Sequence, residues 1–551
     1  MRFYFRFKLS NMFPKRFLLK IIIIFVAIIS VAVHSYSIRK YPALAQTSLT
    51  QCGYLDQANT TYVLQNDVSS SGTCFAIIAQ NITLDLNGKT VTYDNSTPIT
   101  ILNSDFESGG AIADNWDFTN APNASRAAGT LVQPQTVFSG NYAVKIPIPA
   151  SNQFIRSTNQ MTLEPNTTYS LSAMVHSTVA GSYSIYVGLE GSAIQANATG
   201  QTWYFQYIRT TFTTGASPIN YNIVAGISGA TGASAGNVYI DDIQIQRYRT
   251  AGVAVGPQSW APGRVPDINR YGIANNAVIK NGSIIQGVDR GDDSHAIVSE
   301  ESSNNSGLEI ANLTITIDGP NSKAIYLNNG YNINIHDNII NSVVDVIKNR
   351  HQRDGALIKF EYDGGGSLIH SNTITSGIQN GIIANTKSGA VLNKIYQNNI
   401  TLQTKYTNDF AIAGRGLIYD NTINCGSGNN SCRGIFGNSD SKIYNNIIDV
   451  QQLPRNQEYD GCEAGGAYGI QIEYASNTEV YGNTVTARAD QCSSAAFRNN
   501  PTSEETATLG NVGVNNYVHD NAFTAIKTGN TSNVAAQGIR VSNLNRADSL
   551  R

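Results

Sequence analysis

The chain has 551 residues, only 14 % of them charged, with 48 glycines and a formal net charge of −2. Low charge with many glycines suits a turn-rich β protein. The first 45 residues hold eight Lys and Arg and no acid, so the remainder carries 29 bases against 39 acids, near −10. An acidic body of this kind argues against nucleic acid as a partner.

The basic start runs into Ile21–Val33, apolar except for Ser30. That is an n-region followed by an h-region of secretory length, short for a bilayer span. Residues 1–45 are therefore expected to be a signal peptide, or an N-terminal anchor giving a membrane tether, and the body is expected outside the cell or on its surface. Ala43-Leu44-Ala45 has the small-x-small form of a cleavage site, although Arg39 and Lys40 separate it from the h-region. Six cysteines follow: Cys52, Cys74, Cys425, Cys432, Cys462 and Cys492. An even count in an exported chain favours disulfides. The local pairs Cys52–Cys74, Cys425–Cys432 and Cys462–Cys492 are favoured among fifteen pairings. Without a CxxC or clustered histidines, a zinc site is the weaker reading.

A first coil is expected over residues 50–98, where Ile82–Leu86 and Thr90–Val91 flank an Asn87-Gly88 turn. The pattern stops near Asn95 and resumes near Gly252. The stretch between, residues 99–250, is richer in aromatics. Its pieces are Asn103–Gly109, Asn115–Asp117, Ser139–Ile146, Pro165–Ser172 and Val238–Ile245.

Residues 251–545 are repetitive. A motif of aliphatic, two polar or aromatic residues, Asn, any residue, aliphatic recurs at Asn338, Asn372, Asn398, Asn421, Asn446, Asn483 and Asn521. The steps are 34, 26, 23, 25, 37 and 38 residues. The short steps define a rung, and the long ones are rungs with loops. A second strand motif lies between copies, as in Lys323-Ala324-Ile325, Asn380-Gly381-Ile382 and Tyr468-Gly469-Ile470. Stacked parallel rungs align equivalent residues in columns, so the asparagines are expected to bond one another along the stack and carry no chemistry.

These rungs resemble the parallel β-helix repeats of the pectate-lyase-like superfamily, over roughly residues 50–98 and 250–545. The resemblance implies an all-β, right-handed parallel β-helix, and leaves activity open among lyases, hydrolases, epimerases and non-enzymatic adhesins. The pieces within residues 99–250 resemble carbohydrate-binding modules of the β-sandwich jelly-roll type. That second resemblance implies a polysaccharide partner and a structural calcium held by Glu107 and Asp242. It also implies sugar-stacking aromatics, for which Trp116, Trp203, Tyr204 and Tyr186 are candidates.

Chemistry is expected on outward positions of the rungs. Ile358–Tyr362 and Ile470–Tyr474 share a pattern that points Lys359, Glu361, Gln471 and Glu473 outward, with Arg415 and Arg498 continuing the flank. The loops Asn349–Asp354 and Arg455–Asp460 would wall it. A base beside a carboxylate-neutralising cation is what β-elimination of a uronate polymer requires. Lys359 and Arg415 are the candidates, with Glu361 and Glu473 as orienting or metal-binding groups and Arg498 as a fifth catalytic-site residue. A polygalacturonase-like hydrolase is the competing enzyme reading, resting on Gly291-Asp292-Asp293 within Arg290–Ile297. That family's Asn-Thr-Asp, Gly-His-Gly and Arg-Ile-Lys pieces are missing in their expected order. A non-catalytic glycan-binding scaffold is the third reading.

Overall fold

A computed structural model describes residues 45–130, 136–148, 152–200, 205–229, 234–256, 274–299, 305–319, 321–342, 356–377, 380–404, 409–427, 432–452, 466–473, 475–489, 493–500, 515–528, 536–541 and 549–550. Met1–Gln46 and Thr47–Arg551 are two separate units, and the strands from Gly53 onward belong to the second. The expected signal or anchor segment, the third cysteine pair and both wall loops lie outside the described residues.

The chain is an all-β, right-handed parallel β-helix interrupted by a β-sandwich. A typical rung has three strands, such as Asn380–Thr386, Asn393–Tyr396 and Asn399–Thr404, each pairing in parallel with its equivalents above and below. Alternation decides which side chains turn inward. Ile335, Ile369, Ile395, Ile418 and Ile443 stack fully buried in one column, and Ile340, Ile374 and Ile400 in the next. Cys52–Cys74 and Cys425–Cys432 are bonded as expected.

The corner between the second and third strands explains the repeat. Its first residue adopts positive φ in every copy: Asp337, Ser371, Gln397, Asp420, Asn445, Gly482 and Asp520. Left-handed backbone is unfavourable for most side chains, and the asparagine that follows compensates. Asn398 Nδ2 donates to Asn421 Oδ1 at 3.0 Å and to Ile369 O at 2.9 Å, while its Oδ1 accepts from Asn372 Nδ2 at 3.0 Å. The same bonds link all seven asparagines. Two residues earlier, His336, His370, Tyr396, Tyr419, Tyr444, Tyr481 and His519 form a second column of parallel rings, 4.7 to 5.3 Å apart. Neighbouring rings cover one another's faces, so the column presents edges and no open platform for a sugar.

The coil breaks after Thr90–Tyr93 and resumes at Ala251–Val255. Between them, two five-stranded antiparallel sheets face each other. Their own core includes Phe106, Trp116, Tyr169, Leu171, Ile185 and Ile240. The sandwich is fastened to the coil by ion pairs to two buried carboxylates, Asp289 and Asp292. Arg247 pairs with Asp289 at 2.7 Å and Glu164 at 2.6 Å, and Arg209 pairs with Asp292 at 3.0 Å. Beneath them Asp94, where the chain leaves the coil, accepts bonds from Thr250, where it returns, and from Gln286 at 2.9 Å. Burial raises the Asp94 carboxyl to about 6.

Candidate functional site

One face of the coil is built from His295–Ser299, Ile325–Tyr331 and Ala356–Asp363. Ile297, Ile325 and Ile358 align and point into the core. The opposite parity sends Val298, Tyr326 and Lys359 outward in one column. On this outer surface six polar side chains converge.

Lys359 Nζ lies 2.6 Å from Glu361 Oε2. Beside Lys359 is the Tyr326 ring, with Lys323 Nζ 5.1 Å from its centroid and the His295 ring 4.9 Å away. Lys323 Nζ donates to Asn321 O at 3.0 Å and is 3.8 Å from Asp293 Oδ1. His295 Nδ1 accepts the Lys323 backbone N–H at 3.1 Å, which leaves the ring proton on Nε2, 3.7 Å from Asp293 Oδ1. Burial, followed by the charges of Lys323 and Arg249, holds His295 well below its usual range, so the ring is neutral. Burial also lowers the Lys323 ammonium; Asp293 pulls it back up and Lys359 pushes it further down. A lysine with depressed basicity beside a carboxylate and a phenol is suited to proton transfer.

The cluster contains two of the five residues expected to carry catalysis. Lys359 and Arg498 share a column through Ile383, Ala413, Phe436 and Gln471. Five rungs separate them, about 24 Å at the usual strand spacing. The Arg498 guanidinium sits 4.7 Å over the Tyr468 ring, and its Nε has no hydrogen-bond partner among the described residues. Gln471, expected outward, is 1 % exposed. Arg415 lies outside the cluster: it bonds Asp440 Oδ2 at 2.8 Å, Ser439 O at 3.1 Å and Lys387 O at 2.5 Å, bracing neighbouring turns. Glu473 ends the strand Gly466–Glu473 opposite Asn500, with its side chain outside the described residues.

The Gly291-Asp292-Asp293 piece does not offer the carboxylate pair that the hydrolase reading expected. Asp292 is fully buried, held by Arg209 and by Asn321 Nδ2 at 2.7 Å. Only Asp293, at positive φ, reaches the cluster. Lys323, His295 and Tyr326 were not assigned roles from sequence, and Asp293 was considered only as one of the hydrolase pair. Lys323 fills the slot ahead of Ala-Ile that Asn380, Arg433, Tyr468 and Gln537 fill in other rungs. Its variability in that slot was the available signal.

In the sandwich, the expectation of exposed sugar-stacking aromatics is corrected at two positions. Trp116 is 4 % exposed, packs 5.1 Å from Phe106 and donates from Nε1 to Asn103 O at 3.0 Å, so it is a core residue. Tyr186 is 8 % exposed on the sheet's outer parity, in register with Gly226 and thereby with Phe154. Trp203 and Tyr204 lie outside the described residues. Glu107 Oε1 accepts the N–H groups of Asn141 and Tyr142, both at 2.9 Å, and Asp242 Oδ1 accepts Gln244 Nε2 at 3.0 Å. Calcium takes six to eight oxygens. No group of three or more acidic, His or Cys side chains suited to a metal occurs among the described residues. The pair as it stands does not make a calcium cage.

No protein-family model matches the chain, and no curated protein matches it. Among solved structures, a Family 16 Carbohydrate Binding Module-2 is 23 % identical over 26 % of this chain and 97 % of its own, with a TM-score of 0.19. TmCBM61 in complex with beta-1,4-galactotriose is 15 % identical over 27 % of this chain and 99 % of its own, with a TM-score of 0.20. The catalytic domain of a GH87 alpha-1,3-glucanase in complex with tetrasaccharides is 10 % identical over 79 % of this chain and 97 % of its own, with a TM-score of 0.22.

Proposed function

We propose that the chain is an exported carbohydrate-active enzyme that cleaves an acidic polysaccharide by β-elimination at the cluster around Lys323 and Lys359. The observation that carries this reading is two lysines flanking one tyrosine on the outer face of the coil, with Lys323 pushed toward its neutral form. Elimination needs a base for the C5 proton, a cation for the adjacent carboxylate and an acid for the leaving oxygen.

Lys323 serves as the base, taking the C5 proton onto its neutral amine. Lys359, held by Glu361, faces the sugar carboxylate. The C5 electron pair forms the C4–C5 double bond as the C4–O4 bond breaks, and the Tyr326 hydroxyl protonates the departing oxygen. Asp293 then stabilises the Lys323 ammonium, and neutral His295 fixes the backbone from which Lys323 projects. The two bonded cysteine pairs support an oxidising compartment.

A hydrolytic reading is favoured by one observation: Asp293 and Glu361 place two carboxylates on the same cluster, the chemistry of an acid and base pair. Incubation with a panel of uronate polymers separates the readings. Ultraviolet absorbance from an unsaturated product supports elimination. New reducing ends without that absorbance support hydrolysis. Retained binding with neither signal supports a glycan-binding scaffold.

A further inference from the structure

We propose that Arg249, on the chain segment returning from the inserted sandwich, reads the acid group of the polymer, so that the insert completes the site it borders. This rests on the acidic-polysaccharide reading above.

The returning segment runs beside the Asp292 turn. Arg249 N–H donates to Asp292 O at 3.1 Å and Asp292 N–H donates to Arg247 O at 2.7 Å, while Tyr248 and Asp292 form an isolated parallel bridge. Both segments then pass through left-handed backbone, at φ +60° for Arg249 and +52° for Asp293. The paired kinks bring the side chains together: Arg249 Nε lies 3.5 Å from Asp293 Oδ2, the carboxylate that also approaches Lys323 and His295. A long unbranched residue rarely adopts this conformation, and such departures concentrate where function requires them. The pairing of Arg209 with buried Asp292, and of buried Arg247 with Asp289, keeps the segment in place.

Exposure distinguishes the cations. The side chains of Lys323 and Lys359 are 10 % and 15 % exposed, whereas Arg249 is 40 % exposed, with its guanidinium 5.2 Å from the Tyr248 ring centroid. A planar fork at the rim matches a carboxylate or sulfate with two parallel bonds. Arg249 is thus suited to selecting a chain by its acid groups before the buried lysines act.

The test uses the full chain, an acidic uronate polymer that it cleaves or retains, and the same polymer after carboxyl reduction. Arg249→Gly removes the charge and relieves the positive φ; Arg249→Lys keeps the charge and loses the fork. Arg249→Gly is expected to raise KM, or Kd, for the acidic polymer by about ten- to a hundredfold. kcat stays within about twofold, Tm is equal or higher, and Arg249→Lys recovers part of the loss. Unchanged preference for the acidic polymer, or a lowered Tm in Arg249→Gly, would overturn the role of Arg249 while leaving the lysine site standing. A wild-type chain that neither cleaves nor binds any acidic polymer overturns both.

Discussion

Lys323 and Lys359 sit one rung apart and differ in surroundings. Lys359 has Glu361 within 2.6 Å, while Lys323 is buried and more than 3.5 Å from Asp293, its nearest acid among the described residues. Burial disfavours the charged lysine, so Lys323 is the one suited to lose a proton. If it is the base, the reaction requires its neutral form, and kcat/KM rises with pH through a value below the ordinary 10.5 of lysine. Lys323→Ala is expected to lower kcat by about a hundredfold or more, with Tm little changed. Lys359→Ala should raise KM as well, because it also holds the substrate. A pH–rate profile of the two variants separates the roles. Lys359 and Glu361 were legible in the sequence because period-2 alternation fixes which residues face outward. Lys323 was not, because its environment depends on His295 and Asp293, which arrive from the preceding rung at a seam that local pattern does not reveal. Trp116 failed as a binding residue for a related reason: an aromatic in a sandwich looks alike in sequence whether it faces the core or the solvent.

At the level of elements, the asparagine column and the seam carry distinct loads. Each ladder asparagine answers polar groups on its own rung and on the rungs to either side, so truncation strands several buried partners. Asn398→Ala is expected to destabilise the coil by about 2–4 kcal/mol, read as a lower Tm or denaturant midpoint. The repeat spacing made this column readable, since identical residues at one corner can only stack. The seam was legible only as a break in the repeat; its clamp joins Asp94 to Thr250 and Arg209 to Asp292 across distant sequence. Its acid–base behaviour follows from Asp94, whose folded value of about 6 exceeds the unfolded 3.8. Between those values the folded chain binds more protons than the unfolded one, so stability falls as pH rises. The contribution is present below about pH 4 and lost through about pH 6, amounting to about 3 kcal/mol for a shift of this size. Asp94→Asn should flatten the slope of unfolding free energy between pH 4 and 6 in denaturant titrations at several pH values.

Across the whole molecule, the coil supplies a rigid face and the sandwich borders it. Stacked rungs repeat at the strand spacing of about 4.8 Å, which gives the face a regular lattice of outward positions from Tyr326 and Lys359 to Arg498. The architecture of the coil was legible because it follows from periodicity and from one corner residue. The candidate site was legible only in part, because its geometry arises where the period is broken, at the return of the sandwich beside Asp293. The most direct test of the account is ultraviolet absorbance during incubation of the wild-type chain and Lys323→Ala with uronate polymers. The account predicts unsaturated product from the wild-type chain and its near loss in Lys323→Ala with polymer binding retained. Wild-type protein that yields no unsaturated product, or a Lys323→Ala variant as active as wild type, would contradict it.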